Sequence, residues 1–451
     1  MLHHSNRLHT LYLNDLYSEE IYAKGNVVER LLWPICKLPS LKSLSIDHYI
    51  STEKFIATAH HNWEFIEPLR PDGQPLEEWR FPPSLEKLEL VITPFPWKCP
   101  IYDNLVDLSF ISMHIDLADM IDLFSRMNRL EHLFFDRVGI TYDVDVGEHP
   151  GLFELSDEEY ERLLERVRRD FLEEQARSCL LPATVKTWSA VTHATAEFNP
   201  LLKLMGPSAS TSLTVKLLGQ PSILRNEVAS FLSAHFPRLA GSHDMVLSAE
   251  FNMGIKRSSG DENKDTIRVR TVFSRTLDRD VTPDLVLEYA YTTKLNSDKG
   301  KAQQLPANYL LGIFKESGAE LLSLEALPCF DTIVDLSLDC NFSYSREAWA
   351  DALGLFPALV TLRIPENMLP DIMSTLAWYQ STIPEIHALH VRSSQQYGFK
   401  SSRSTVDMLI DWLISRKAGG SPLKDVRMPS ALDAEMTACY GEGEWRSFLE
   451  K

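Results

Sequence analysis

The chain carries 14 histidines, 6 cysteines and 63 acidic residues, the side chains from which metal centres and acid–base pairs are built. Their spacing decides what they can do. His3 and His4, like His60 and His61, are adjacent, and neighbours in extended chain point apart, so neither pair closes on one metal ion. His387 and His390 stand three apart in a segment that reads as a strand, which puts them on opposite faces. Asp143 and Asp145 form an isolated DVD in an acidic loop and suit a turn better than a metal–nucleotide motif. Cys36, Cys99, Cys179, Cys329, Cys340 and Cys439 include no CxxC pair. That usage fits buried thiols in a reducing compartment rather than a disulfide framework or a zinc site. No GxxxxGK(S/T) loop, GxGxxG turn, GxSxG elbow or HExxH helix occurs. We expect no catalytic residues, no metal and no cofactor.

Recognition chemistry is better represented. Tyr12 and Phe134 lie in the N-terminal part, and Arg363, His390, Arg392 and Arg427 in the C-terminal part. Aromatic anchors and arginines are the side chains that protein interfaces favour. Arginine also meets a carboxylate or phosphate through two parallel hydrogen bonds. Whether these six residues act together depends on the elements that position them.

Those elements show themselves as a repeat. The stretch NRLHTLYLNDLY (6–17) places Leu8, Leu11, Leu13 and Leu16 in the order L-x-x-L-x-L-x-x-L, and NRLEHLFFDRV (128–138) repeats it with Leu130, Leu133, Phe135 and Val138. Between them stand PSLKSLSI (Leu41, Leu44, Ile46), PSLEKLEL (Leu85, Leu88, Leu90) and DNLVDLSFISM (Leu105, Leu108, Phe110, Met113). The C-terminal part resumes with TIVDLSL (Ile333, Leu336, Leu338), PALVTLRI (Leu359, Leu362, Ile364), PEIHALHV (Ile386, Leu389, Val391) and SPLKDVRM (Leu423, Val426, Met428). The last two apolar positions are two apart and share one side of a short strand, while the first turns in from the approach. Pro or Asn before several copies ends a preceding element and starts the strand.

The pattern predicts strands at 10–14, 43–47, 87–91, 107–111, 132–136, 335–339, 361–365, 388–392 and 425–429. Adjacent strands should be parallel and stack in chain order within each block, because each unit is half a core. Helices are predicted at 345–356, burying Trp349, Leu353 and Phe356, and at 404–417, burying Met408, Leu409, Trp412 and Leu413, with Ser404 or Thr405 as cap. The intervals between copies run longer and less evenly than the about 20–29 residues of a regular leucine-rich repeat. The shortest step, from Leu88 to Leu108, leaves room only for a turn.

The centre is less regular. LSDEEYERLLERVRRDFLEEQARS (155–178) reads as a charged amphipathic helix opening on a capping box, Ser156 to Glu159. TVKTWSA (184–190) is a degenerate copy through Val185, Trp188 and Ala190. SLTVKLLG, the helical SILRNEVASFLSAHF and DMVLSAEF suggest one more strand–helix–strand unit. TIRVRTVFSR (266–275) and DLVLEYAYT (284–292) alternate with period two and predict antiparallel strands inserted in, or widening, the array. The polar stretch 292–307 reads as a flexible loop.

These repeats resemble the leucine-rich-repeat region of F-box/LRR proteins. The resemblance covers most of the chain. It implies a solenoid whose concave face binds a substrate protein for ubiquitination, with an F-box elsewhere recruiting a Skp1-type adaptor. The L-P-x-E opening of an F-box does not stand before Leu8. The chain is accordingly expected to start mid-architecture, as a fragment, a truncated gene model or a repeat protein that lost its recruiting module, and not to bind the adaptor by itself.

The fold expected is α/β, an irregular leucine-rich-repeat horseshoe with parallel strands on the concave side, helices outside and central antiparallel hairpin strands. Its segments are an N-terminal repeat block (1–140), an acidic loop and charged helix (141–182), irregular central repeats (183–307) and a C-terminal repeat block (308–451), in one continuous solenoid. Residues between the core leucines should line the concave face: Tyr12, Ser45, Glu89, Ser109, Phe134, Ser337, Arg363, His390 and Arg427 in one row. Asp335, Asp339, Arg392 and Asp425 are among their neighbours.

On this reading Arg363, His390, Arg392 and Arg427 form one cationic patch whose repulsion favours neutral His390. The patch would dock a protein partner through an acidic or phosphorylated segment, and reversing Arg363 and Arg427 should leave melting little changed. The function expected is a non-enzymatic protein–protein interaction scaffold. The alternative is a hydrolase-like enzyme with its catalytic module in the irregular centre. A net charge of −18 argues against nucleic-acid binding, and no run of about 18 apolar residues suggests a membrane helix. Without a secretory signal, cytoplasmic or nuclear localisation is expected.

Overall fold

The computed structural model describes residues 7–13, 38–47, 82–92, 99–141, 181–193, 210–218, 248–257, 265–293, 330–340, 345–379, 385–393, 403–441 and 444–449, with the single positions 35, 97, 162, 166, 205, 206 and 208. They form a mixed α/β fold with a large, mostly parallel sheet and few helices. The chain divides into two compact units, Met1–Val215 and Lys216–Lys451.

The first unit contains β1 (Thr10–Leu13), β2 (Ser43–Asp47), β3 (Lys87–Val91) and β4 (Asp107–Ile111). A short β5 (His114–Asp116) follows, then β6 (His132–Asp136), a short β7 (Gly139–Thr141), β8 (Thr187–His193) and β9 (Ser212–Leu218), which crosses the unit boundary. β1, β2, β3, β4, β6 and β8 lie side by side in chain order, each parallel to the next.

Each copy of the repeat enters its strand in the same way. The first apolar residue closes a tight turn through its N–H: Leu41 to the carbonyl of Leu38, Leu85 to Pro82, Leu105 to Tyr102, Leu130 to Met127 and Val185 to Pro182. The carbonyl just before a strand then accepts two N–H groups of the next copy. His9 accepts from Lys42 and Ser43, Lys42 from Glu86 and Lys87, Glu86 from Val106 and Asp107, Val106 from Glu131 and His132, and Glu131 from Lys186 and Thr187. Position follows position. Leu44, Leu88, Leu108, Leu133 and Trp188 stand in one cross-strand row, and Ile46, Leu90, Phe110, Phe135 and Ala190 in the next. All are buried, as are Leu41, Leu85, Leu105, Leu130 and Val185.

The ends of three strands share a costlier device. Ile92, Ser112 and Arg137, each just past its strand, take the left-handed conformation with φ of 52°, 52° and 53°. There the N–H of Ile92 reaches the carbonyl of Ile111, that of Ser112 reaches Asp136, and that of Arg137 reaches Val191. This conformation costs a non-glycine residue roughly 1–2 kcal/mol, and a hydrogen bond to the next copy offsets part of it. Beyond it β5 and β7 pair in parallel. Gly139 on β7 lies so close beneath His114 that a Cβ would meet Nδ1 at 2.4 Å.

The second unit holds β10 (Ser248–Arg257), β11 (Asp265–Ser274), β12 (Leu285–Thr293), β13 (Asp335–Cys340), β14 (Thr361–Pro365), β15 (Ala388–Arg392) and β16 (Asp425–Arg427). β12, β11 and β10 are antiparallel neighbours, and β10, β13, β14, β15 and β16 run parallel in that order. The same carbonyl stitch recurs: Val334 accepts from Val360 and Thr361, Val360 from His387 and Ala388, and His387 from Lys424 and Asp425. Ala249, Leu336, Leu362, Leu389 and Val426 continue one row. The antiparallel strands expected in the centre are therefore present, and β10 carries the parallel register.

The predicted strands recur within a residue or two. β13 runs one residue longer, and β16 stops at Arg427 because Pro429 has no N–H to give a ladder. Of the helices, α1 (Leu117–Arg126) was not foreseen. Asp116 caps it by accepting from the N–H of Ala118, and Leu117, Met120, Leu123 and Phe124 are buried. After β13 comes α2 (Arg346–Gly354), capped by Ser345 and burying Trp349 and Leu353, with Phe356 buried just beyond. α3 (Leu369–Trp378) and α5 (Ser430–Tyr440) were missed, although Leu369, Ile372, Met373 and Leu376 have helical spacing.

Between them lies α4 (Arg403–Ala418), which begins earlier than expected. Thr405 is a buried member of its first turn, not its cap, and Met408 is only half-buried. In the short step between β3 and β4 the described residues include a 3-10 turn, Pro100–Tyr102. Cys99 and Cys340 are buried, and burial pushes the Cys340 thiol up to about 12. Cys439 is exposed, contrary to expectation.

The charged helix at 155–178, apart from Arg162 and Arg166, lies outside the described residues, as do His3, His4, His60, His61, Asp143, Asp145, Cys36, Cys179, Cys329 and the stretch SILRNEVASFLSAHF. Thr292 and Thr293 belong to β12, and the rest of the 292–307 stretch is likewise outside.

Leu133 and Leu362 are 2% and 0% exposed in the stacked rows. Leu133→Asp or Leu362→Asp places a carboxylate where no partner is within reach, at a cost of several kcal/mol. The expected outcome is insoluble protein. Wild-type solubility and melting of either variant would show that these rows are not the packing unit.

Candidate functional site

The strand face opposite the buried rows carries the polar residues, because alternate side chains point to alternate sides. In the first unit the row Tyr12, Ser45, Glu89, Ser109 and Phe134 is in register across β1, β2, β3, β4 and β6. Tyr12 is 68% exposed and Phe134 half-buried, with three strands between them. Polar side chains on this face pair across strands. Ser45 donates to Glu89 Oε1 at 2.7 Å, Lys87 meets Asp107 at 3.0 Å, and His132 shares a hydrogen bond with Thr187 at 2.7 Å. Next to the row, Lys186 meets Glu131 at 2.6 Å.

In the second unit Glu250, Ser337, Arg363, His390 and Arg427 occupy one row across β10, β13, β14, β15 and β16. Asp335 and Asp425 stand two residues earlier on their strands, and Asp339 and Arg392 two residues later. Arg363, His390, Arg392 and Arg427 are thus brought together, as their spacing predicts. They do not form a bare cationic patch.

Arg363 grips Asp335 with two nitrogens, Nε to Oδ1 at 2.9 Å and Nη2 to Oδ2 at 2.6 Å. Asp335, only 5% exposed at its side chain, also receives Arg279 at 3.3 Å. His390 donates from Nε2 to Asp425 Oδ2 at 2.8 Å, and Arg427 Nε donates to the same oxygen at 2.9 Å. Arg392 reaches over Pro365, its register partner on β14, and donates from Nη2 to the carbonyl of Leu338 at 3.3 Å. The carboxylates were named as neighbours of the row, but spacing alone does not show that diagonal pairing would neutralise it.

Arg279 gave no signal in the sequence. It sits in the loop between β11 and β12, which Arg275 closes by binding Asp284 through its backbone N–H at 2.8 Å and its guanidinium at 2.6 Å. That closure directs Arg279 to Glu250 and Asp335.

The electrostatics follow from these pairs. The hydrogen bond from Arg363 to Asp335 raises the arginine further above its ordinary range. His390 is lowered, chiefly by burial, with Arg363 and Arg427 adding to the effect against the opposing Asp425. The neutral form is favoured as expected, although desolvation rather than repulsion leads. Burial pushes Asp425 up, but His390 and Arg427 together hold it below the usual carboxylate value. Burial raises Asp339, Glu250 adds to that and Arg392 opposes it.

With Nε2–H pointed at a carboxylate, neutral His390 keeps a bare lone pair on Nδ1. Ser337 lies two strands away, about 10 Å between backbones, so the two are not placed as a nucleophile and its base. Among the described residues no group of three or more His, Cys, Asp or Glu could hold a metal ion, and no helix is long and apolar enough to cross a membrane. Compared with known protein families and with curated proteins, the chain matches none.

Arg363 therefore belongs to the scaffold of the face, which corrects the expectation that its sign could be reversed at little cost. Asp335→Asn takes the carboxylate from Arg363 and leaves Arg279 with Glu250 alone, and should destabilise by about 2–3 kcal/mol in urea titrations. Lys186→Ala, breaking the exposed pair with Glu131, should leave the midpoint unchanged. Equal midpoints for the two variants would show the Asp335 pair to be surface decoration.

The lowered His390 has a second consequence. Below its ordinary value of 6.5 the unfolded chain takes up a proton that the folded chain refuses. Stability then falls with pH until the folded-state value is reached. Asp425, held low, withdraws its contribution only as pH drops through its own folded value, below 3.8. His390→Gln, which can still donate to Asp425, should flatten the slope just below pH 6.5 by at most about 1.4 kcal/mol per pH unit. An unaltered slope would mean that His390 titrates normally.

Proposed function

We propose that this chain is a non-enzymatic protein-interaction scaffold, an irregular leucine-rich-repeat solenoid resembling the substrate-binding part of an F-box-type ubiquitin-ligase receptor. One observation carries the reading most: the same carbonyl receives two N–H groups from the next copy at every step from His9 to Glu131 and again from Val334 to His387. Equivalent hydrogen bonds at equivalent positions are the mark of stacked repeats rather than of an ordinary doubly wound sheet. Such arrays bind partners along the strand face, where side chains stand in rows at about 4.8 Å intervals.

The docking surface is the polar face of β13 to β16, with Arg427 as its most exposed cation. Its side chain is 71% exposed, against 24% for Arg363. The partner is a protein presenting an acidic or phosphorylated segment, which Arg427 meets by displacing its exposed bond to Asp425. Tyr12, on the open face of the first unit, is a second anchor.

Arg427→Glu and Tyr12→Ala should each reduce recovery of one stoichiometric partner in affinity purification, while the melting temperature stays near wild type. Unimpaired recovery by both variants would remove this face from the interface. Purified Skp1-type adaptor should not bind the chain alone, and a stable one-to-one complex would place a recruiting segment within it.

A further inference from the structure

The loop that joins β11 to β12 is firm at its base and lightly held at its tip. At the base Arg275 binds Asp284 through its backbone N–H and its guanidinium, and the Asp284 N–H reaches the carbonyl of Phe273 at 3.2 Å. Ser248 on β10 donates to the carbonyl of Thr276 at 3.2 Å. Beyond Thr276, residues 277–282 are all exposed. They brace one another: the N–H of Asp278 reaches Thr276 Oγ1 at 3.1 Å, and that of Asp280 reaches Asp278 Oδ1 at 3.0 Å. A tip braced in this way can move as a unit about its base.

Charge rather than burial holds this tip down. Leu277 and Val281, its two large apolar side chains, stay in solvent. Among the described residues, its polar bonds to the sheet are those of Arg279, to Glu250 on β10 at 3.5 Å and to Asp335 on β13 at 3.3 Å. Both are longer than the 2.6 Å at which Arg363 holds the same Asp335, and the Arg279 side chain is 39% exposed. Pairs so open to water are weak and are screened by salt. The nearly buried Asp335 favours keeping both arginines, which makes the fastened form the resting one. Arg363 remains on Asp335 when Arg279 leaves, and Glu250 keeps the hydrogen bond from Asn252 at 2.7 Å, so release leaves neither carboxylate bare.

We propose that residues 276–283 form a strap that Arg279 fastens across β10 to β13. When its two ion pairs are lost, the tip lifts about its base while the sheet stays folded. Local openings of this kind arise where contacts are few and exposed. The device goes beyond the scaffold reading and does not need it. On that reading the open strap frees a second cation, Arg279, at the β10 end of the row that carries Arg427 on β16.

The test is limited digestion of the full chain with chymotrypsin, which cuts after Leu277. A capped peptide of residues 275–284, with the matching substitution, corrects for the protease itself. Cleavage of a briefly opened loop tracks the open population when opening and closing are fast. Relative to the peptide, the native chain should be cut slowly at low salt. It should be cut faster at about 1 M salt, where charges are screened beyond about 3 Å. Arg279→Gln should be cut about fivefold faster than the native chain at low salt and should lose the salt response. Cleavage after Phe273, which is buried on β11 and reads unfolding of the sheet, should stay far slower in both. Equal cutting of the variant and the native chain would overturn the proposal. So would a native chain cut as fast as the peptide, or cut after Leu277 no faster than after Phe273. If the variant does not fold, the salt series on the unaltered chain decides alone, and a flat series overturns the strap. None of these outcomes bears on partner recovery by the Arg427 and Tyr12 variants, by which the scaffold reading is tested.

Discussion

One carbonyl per repeat, shared between two N–H groups of the next, is the constraint on which the rest of this molecule depends. A strand of three to five residues buries too little on its own to hold its register. The shared acceptor fixes where each copy starts relative to the one before it, so the apolar positions arrive opposite one another. A slip of one residue would turn every buried leucine outward and every polar side chain inward. The tight turn before each strand serves the same end, since it sets the depth at which Leu41, Leu85, Leu105 and Leu130 enter the core.

With register fixed, side-chain volume can move between positions. The third apolar position passes from Ile46 and Leu90 to Phe110 and Phe135. In β8 it shrinks to Ala190, and the bulk shifts to Trp188 in the second position. Phe110 packs on Phe135 with ring centres 5.8 Å apart, and Phe135 meets the edge of Trp188 at 6.1 Å. Interior packing tolerates such exchange when total volume is kept. TVKTWSA looks degenerate as a string, yet it occupies the same place in the register as its neighbours.

This also explains which parts the amino-acid sequence discloses. The buried rows were legible because apolar spacing and physical spacing are the same quantity. α1 and α3 were not, because attention to the strand period hides a helical one in DLADMIDLFSRM and LPDIMSTLAW. The left-handed residues Ile92, Ser112 and Arg137 could not be read at all: none is glycine or asparagine, and their conformation is imposed by the carbonyl each must reach. The candidate site was legible in position but not in charge. Arg363, His390, Arg392 and Arg427 were placed on one face, but a diagonal partner two residues along a neighbouring strand carries no sequence signature. Arg279 arrives from a loop whose direction depends on the grip of Arg275 on Asp284.

The polar face is thus governed by the same register as the core, with the opposite consequence. Stacking equivalent positions at about 4.8 Å brings like side chains together, and a row of arginines and carboxylates tolerates that only if the signs alternate diagonally. Asp335 serves Arg363 and Arg279 from a nearly buried position, where the loss of either partner is costly. Asp425 serves His390 and Arg427 from a more open one. The first arrangement is rigid and the second adjustable. On the scaffold reading proposed above, a docking chain would exchange the exposed bond of Arg427 for its own at small cost, whereas competing for Arg363 would leave Asp335 with Arg279 alone. The ion pairs themselves grade along the row, from nearly buried at β13 and β14 to exposed and exchangeable at β16, with His390 at the divide.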